Sequence, residues 1–210
     1  MKVVSVNSAV AKEIIWNTKT VKTGIFKKPT SSIEVTKTGV KNDTVSDTKN
    51  HGGFDKAVYG YSLTSYNYFK KHYPTIELNY GSFGENLTFD NLDEQKVYIG
   101  DIFKIGEALL QVSQPRFPCY KLEFVFKDKN IVKTFLNAPY CGFYFRVLQE
   151  GKIQEGDSIE LISRASNSKS LSEVFAVYTS KKNDKTLQNK ILEIAELAED
   201  WKKRMSKKLL

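Results

Sequence analysis

The sequence predicts a mainly β fold with a few short helices, followed by a small helical appendage. Runs rich in β-branched and aromatic residues recur along the chain as far as Arg164. Glycine-centred turn signals separate them at the close spacing of a barrel or sandwich. Beyond Arg164 the stretch Ala165-Ser166-Asn167-Ser168-Lys169 is small and polar, as linkers are, and apolar residues then fall at helical spacing. Residues 1–165 are therefore read as the β domain and residues 166–210 as the appendage.

Taken in order, the first residues lack the long apolar core of a signal peptide, and the β-branched Val3 to Val6 opens as a strand. Ser32 to Thr36, Ala57 to Tyr61, Asn86 to Phe89, Val97 to Ile105 and Ala108 to Val112 follow as strands. Gly52-Gly53, Gly81, Gly84, Gly100-Asp101 and Gly106-Glu107 punctuate them. Leu63 to His72 is helical, with Leu63, Tyr66 and Phe69 partly on one face, and Asn130 to Leu136 is a second helix. Tyr120 to Phe126 has strand propensity. Phe143 to Leu148 and Ser158 to Ile162 close the β domain. In the appendage, Ser170 with Glu173 forms a capping box before Leu171, Val174, Phe175 and Tyr178. Asp184 caps a second helix. Ile191, Ile194, Ala195, Ala198 and Trp201 form the stripe of a third, ending in Lys202, Lys203 and Arg204.

Composition bounds the function. A net charge of +8 suits an anionic partner such as a phosphate, a nucleotide or a nucleic acid. No apolar run is long enough to span a membrane. Cys119 and Cys141 are the only cysteines and lack the paired spacing of a zinc site. Both are read as free thiols in a reducing, cytoplasmic compartment.

The most unusual stretch is Gln114-Pro115-Arg116-Phe117-Pro118-Cys119. Two prolines three residues apart forbid a continuing central strand and stiffen the loop that presents the cysteine. Arg116 lies near enough in sequence to favour a thiolate; the competing reading is an inert cysteine after a turn. Around His51-Gly52-Gly53, with Lys56 following, paired glycines let an oxyanion approach the backbone, or simply make a turn. In Gly81-Ser82-Phe83-Gly84-Glu85-Asn86, the last two side chains meet a ligand or satisfy the loop's own amides. The stretch from Val21 through Lys22, Thr23 and Gly24 to Pro29 is basic, and contacts a phosphate or forms an exposed hairpin end. No P-loop and no Ser-His-Asp arrangement can be assembled.

In order, Thr23-Gly24-Ile25-Phe26-Lys27, Asp47 with His51-Gly52-Gly53, Asp55-Lys56-Ala57-Val58, Phe83-Gly84-Glu85-Asn86-Leu87, Ile99-Gly100-Asp101, the Gln114 to Cys119 loop, Gly142 to Val147 and Gly156-Asp157 resemble the MOSC family over residues 1–163, within it the YiiM-like proteins. The tail resembles the three-helix appendage of that subfamily. The resemblance implies a β-barrel with a deep basic pocket and a pyranopterin molybdenum cofactor. Cys119 is the implied metal ligand and catalytic residue, with Cys141 as the fallback. Lys22, Thr23, His51, Lys56, Asn86, Arg116 and Arg146 are the implied cofactor-binding residues. A soft thiolate suits a sulfur-bound metal, and arginine and lysine suit its phosphate and oxo groups. The resemblance also implies a short helix after the cysteine loop. One departure is Asn42-Asp43-Thr44-Val45, where the family usually reads Gly-Asp-x-Gln: asparagine tolerates the left-handed turn, but Val45 loses a polar contact.

The function that the resemblance implies is reduction of N-hydroxylated substrates, such as N-hydroxylaminopurine-type bases, to amines, with electrons from a separate flavin or iron–sulfur protein, since the chain has no cysteine cluster or flavin fingerprint. A sulfur carrier holding a Cys119 persulfide is the alternative. A non-catalytic nucleotide or nucleic-acid binder ranks third, resting on charge alone.

Overall fold

The computed structural model describes residues 1–182 and 184–209. Its strands are β1 (Val3–Ser8), β2 (Lys12–Trp16), β3 (Lys19–Thr23), β4 (Lys28–Thr30), β5 (Ser32–Thr36), β6 (Gly39–Val40), β7 (Val58–Ser62), β8 (Leu87–Phe89), β9 (Ile102–Ile105), β10 (Ala108–Pro115), β11 (Phe143–Gln149), β12 (Gly151–Gln154) and β13 (Ile159–Ser163). Its helices are α1 (Thr48–His51), α2 (Leu63–His72), α3 (Leu122–Phe126), α4 (Ile131–Asn137), α5 (Leu171–Thr179), α6 (Lys185–Leu192) and α7 (Glu199–Leu209), with a 3-10 turn at Phe54–Lys56.

Eight strands form one sheet in the order β13-β9-β10-β11-β7-β8-β1-β4, antiparallel except for β7 against β8. Strands β12-β5-β6 form a second sheet, and β2-β3 a separate hairpin. The mainly β class is as expected, but the sheet is not closed as a barrel. The start of β1 meets the chain around β13 through an isolated antiparallel bridge, Lys2 to Ser158, with Ile159 N–H donating to the Met1 carbonyl at 3.0 Å and Val3 N–H to the Asp157 carbonyl at 2.9 Å.

Alternating burial fixes the register of β9, where Phe103 and Ile105 are buried and Lys104 is exposed. On β7 every residue is buried, because the strand lies inside the sheet. Gly60 is required there: a Cβ would sit 2.5 Å from the Phe89 ring. Helices α2, α3 and α4 pack an aromatic layer onto the fold, with Phe83 centroids 4.2 Å from Tyr61, 5.1 Å from Phe69 and 5.3 Å from Phe126.

Several sequence expectations need correction. The strand read from Val97 to Ile105 begins at Ile102, because Gly100 turns the chain at φ 85° and the Asp101 carboxylate accepts from Tyr98 N–H at 2.9 Å. Leu122 to Phe126 is a helix despite its strand propensity, as the resemblance implied. Pro115 does not lie outside the sheet: β10 runs through it, paired with Phe143 across a register shift between Val112 and Gln114. A proline at the last residue of a strand, beside an irregularity, forfeits little of the ladder.

The first two helix caps beyond Arg164 are as expected. Ser170 and Glu173 form the reciprocal capping box, and Asp184 accepts from Leu187 N–H at 3.0 Å. The third helix is different. Ile191, Ile194, Ala198 and Trp201 are buried, but they span the end of α6, a turn and the start of α7, while Ala195 is exposed. Ala198 N–H donates to the Ser113 carbonyl of β10 at 3.0 Å, which takes it out of a helical ladder. Lys202, Lys203 and Arg204 consequently lie within α7, and its last turn carries Lys207 and Lys208.

Candidate active site

The cysteine loop leaves the sheet at Pro115. Arg116 N–H donates to the Gly142 carbonyl at 3.0 Å, and the Cys119 carbonyl accepts from Leu122 N–H at 3.0 Å as α3 begins. Cys119 is half-buried and lines two adjoining cavities, which also share Asp47, His51, Lys56 and Tyr144. Cys141 is fully buried, lines neither, and has its thiol pushed well up by burial and then by the nearby Glu94 carboxyl.

The first cavity holds about 610 Å³ of empty space including its mouth, within the usual range for a small-molecule site. It receives Thr23, His51, Lys56, Asn86, Arg116 and Cys119 of the residues expected from sequence. Its walls are set by close backbone approach. Gly24 lies so near the Thr44 carbonyl that a Cβ would be 2.0 Å from the oxygen. Asn42 adopts φ 60°, so the asparagine keeps the left-handed turn. Behind it Asp43 pairs with Lys27 out of solvent and accepts from Ala9 N–H at 2.8 Å and Asn86 Nδ2 at 3.0 Å. Burial lowers the Lys27 pKa, and Asp43 opposes that shift.

Arg116 dominates the electrostatics. It is 4% exposed, with its guanidinium 4.8 Å from the Tyr59 ring centroid and 5.4 Å from that of Phe135. Its Nη1 is buried without a hydrogen-bond partner among the described residues. A guanidinium does not deprotonate, so this is a fixed buried charge with unused donor capacity. The described ion pairs nearby engage Lys27, Lys56 and Arg146, and include neither Arg116 nor the buried Lys121. Burial, then the Arg116 charge, pushes the His51 pKa down to about 4. His51 is therefore a neutral imidazole at pH 7, with one donor and one acceptor.

Other expected residues are placed elsewhere. Lys22 is exposed on β3 and lines neither cavity; its carbonyl, not its ammonium, faces Lys121 Nζ at 3.5 Å. Arg146 also lines neither. It pairs with Asp55 at 2.5 Å and donates to the Glu196 carbonyl at 2.7 Å, joining the 3-10 turn to the segment before α7. The Asn86 amide is engaged by protein, accepting from Tyr59 N–H at 3.2 Å and donating to Asp43. Glu85 satisfies its own loop, accepting from Gly81 N–H at 2.7 Å and Phe83 N–H at 3.1 Å.

Sequence reading missed Lys121, Tyr59 and Tyr144 in the first cavity. It also missed Asp200, Trp201 and Arg204, by which α7 walls the second. Lys121 had a signal, standing two residues after the cysteine. The α7 residues had none, since only tertiary packing brings them there.

No group of three or more His, Cys, Asp or Glu side chains among the described residues is placed to hold a metal ion. A metal bound by Cys119 must bring most of its ligands with it. No helix among the described residues is long and apolar enough to cross a membrane.

Comparison with known proteins gives a consistent picture. The model of the MOSC domain matches residues 47–160. YflK of Bacillus subtilis is 38% identical over 209 residues, covering 98% of this chain and 93% of YflK. A Gibberella moniliformis protein named reductase is 38% identical over 130 residues, which are 60% of this chain and 23% of that protein. The crystal structure of YiiM from Geobacillus stearothermophilus superposes with a TM-score of 0.83 at 32% identity, covering 100% of this chain and 99% of the other.

Proposed function

The chain belongs to the MOSC family, and on that premise we propose that Cys119 ligates a pyranopterin molybdenum cofactor with which the protein reduces N-hydroxylated compounds to amines. The observation that carries this reading is the half-buried Cys119 lining the same cavity as Arg116, whose buried Nη1 has no partner among the described residues. The residues fit the group. One thiolate suffices for a metal that arrives with a dithiolene. Arg116 and Lys121 suit its anionic parts, the former by a charge-assisted bond. Thr23 and the neutral His51 add hydrogen-bonding groups at the cavity wall.

When bound, the cofactor would supply the two-electron redox chemistry. The balance is R–NHOH + 2 e⁻ + 2 H⁺ → R–NH₂ + H₂O, with electrons from a separate flavin or iron–sulfur protein. The chain's own part is to bind, orient and keep charge in place. Tyr59 and Phe135 hold the Arg116 guanidinium away from water. Lys27 and Asp43, which also line the cavity, neutralise each other and add no net charge to its wall.

The test is elemental analysis of protein from a cofactor-producing host, beside Cys119→Ala. Near-stoichiometric molybdenum lost in the variant, with thermal stability unchanged, is the expected result. Sulfane sulfur on Cys119 without molybdenum would instead favour a sulfur carrier.

A further inference from the structure

Glu94 is a buried carboxyl that stands outside both cavities. It is 1% exposed, lines neither of them, and enters no ion pair among the described residues. A carboxyl taken out of water with no cation beside it is costly, so its retention invites a reason. Its Oε1 accepts the Gly142 N–H at 2.6 Å, while Ser65 Oγ stands 3.4 Å from both carboxyl oxygens. Burial pushes the carboxyl up to about 7, and the Gly142 N–H opposes that rise. A protonated carboxyl still presents an acceptor oxygen, so the bond to Gly142 survives in either form.

The Gly142 turn bears on Arg116 in two ways. Its carbonyl accepts the Arg116 N–H at 3.0 Å. Its backbone, at φ 68°, lies so close to Tyr59 that a Cβ would stand 2.6 Å from the phenol oxygen, and that phenol donates to the Cys141 carbonyl at 3.4 Å. Tyr59 is the ring whose centroid lies 4.8 Å from the Arg116 guanidinium. Main chain and side chain of Arg116 thus both lean on one turn, and Glu94 fastens the N–H of that turn. Glu94 is itself anchored from two helices. Its main-chain carbonyl accepts the Ser172 N–H at 2.9 Å from the first turn of α5, and Ser65 lies in the first turn of α2, where the Ser62 hydroxyl accepts its N–H at 3.1 Å.

We propose that Glu94 is a positioning residue for Arg116: by holding the Gly142 N–H it fixes the turn that sets both the main chain and the aromatic seat of the guanidinium at the cofactor cavity. This rests on the cofactor reading of that cavity and deepens it. Removing the acceptor strands a buried N–H. Glycine then leaves the left-handed region at little cost, so nothing else pins the turn.

The experiment compares full-length wild type, Glu94→Gln and Glu94→Leu from a cofactor-producing host, each at the same interval below its own thermal midpoint. Amide hydrogen exchange is followed at Arg116 and Gly142, and molybdenum retention is measured beside it. In Glu94→Leu these two amides exchange at least about tenfold faster while β7 and β9 stay protected, and molybdenum retention falls about tenfold. Glu94→Gln keeps an acceptor and stays within about threefold of wild type on both readouts. A loss of stability alone would neither single out these amides nor be reversed by glutamine. Should Glu94→Leu fail to fold, NMR of the wild-type chain decides: a through-hydrogen-bond coupling joins the Gly142 amide to the Glu94 carboxyl carbon, and its absence overturns the proposal. Unchanged exchange at Arg116 in Glu94→Leu, or a Glu94→Gln chain as impaired as Glu94→Leu, also overturns it. Full molybdenum retention in Glu94→Leu overturns it while leaving the cofactor reading intact. Exchange that follows Glu94 as stated, in a wild-type chain that never takes up molybdenum, leaves the role of Glu94 standing and sinks the cofactor reading.

Discussion

Lys56 Nζ and Asp200 Oδ2 meet at 2.5 Å although 144 residues separate them in sequence. Lys56 lines both cavities beside Cys119 and Asp200 lies in the first turn of α7, so the contact ties the cysteine site to the appendage. The Lys56 hydrogen bond, with the Lys56 charge, holds the Asp200 carboxyl below its ordinary range. The pair is complete at neutral pH and is lost as pH falls through the folded-state pKa.

Asp200 is half exposed, so Asp200→Asn should cost less than about 1 kcal/mol of global stability. The effect should be local: amide hydrogen exchange in α7 should quicken while the eight-stranded sheet stays protected. Unaltered exchange in α7 would show that the ion pair holds nothing there.

Arg116→Met removes a buried charge that lacks a full set of partners. Replacing such a charge by an apolar side chain of similar reach is often neutral or stabilising. The thermal midpoint should therefore hold or rise, while molybdenum retention falls by at least about tenfold, as expected for a lost charge-assisted bond. Full molybdenum content in a stable variant would remove Arg116 from the cofactor site.

His51 titrates near pH 4 instead of 6.5 because its charged form is buried beside Arg116. Between those values the unfolded chain binds the proton and the folded chain does not. Stability is thus present in full above about pH 6.5 and lost as pH falls towards 4, by a quantity on the order of 3 kcal/mol. His51→Gln should flatten that decline. A His51 ring resonance with its NMR midpoint above 6 would refute the assignment.

Gly142→Ala should be severe. Gly142 adopts φ 68°, and a Cβ would stand 2.6 Å from atoms of the Tyr59 and Tyr61 rings. The same residue accepts the Arg116 N–H and donates its own to Glu94 at 2.6 Å. A loss of about 3 kcal/mol or more is expected, lowering the thermal midpoint by roughly 6–12 °C. A fully stable Gly142→Ala protein would mean that the backbone there relaxes freely.

The parts of the molecule legible in sequence are those written in local signals. The capping box at Ser170 and Glu173, the Asp184 cap and the buried face of α2 at Tyr66 and Phe69 follow from spacing alone. The ordered motifs brought Thr23, His51, Asn86, Arg116 and Cys119 to one cavity. Illegible parts depend on contacts between distant residues. Arg146 resembled a cofactor ligand, but Asp55 and the Glu196 carbonyl claim its donors. The stripe from Ile191 to Trp201 has helical periodicity, yet a sheet carbonyl claims the Ala198 N–H and breaks it. Periodicity reports burial faithfully and says less about which hydrogen bonds the backbone will make.

The docking of α7 against the cysteine loop also bears on how the protein is made. The sheet strands and both motif loops leave the ribosome before α7 does, so a nascent chain can fold its scaffold while the wall containing Trp201 and Arg204 is still missing. Until that wall arrives, the second cavity lacks one side, and Cys119, which lines it, faces more solvent than in the finished fold. A ligand of the second cavity thus meets a complete site only once α7 has docked.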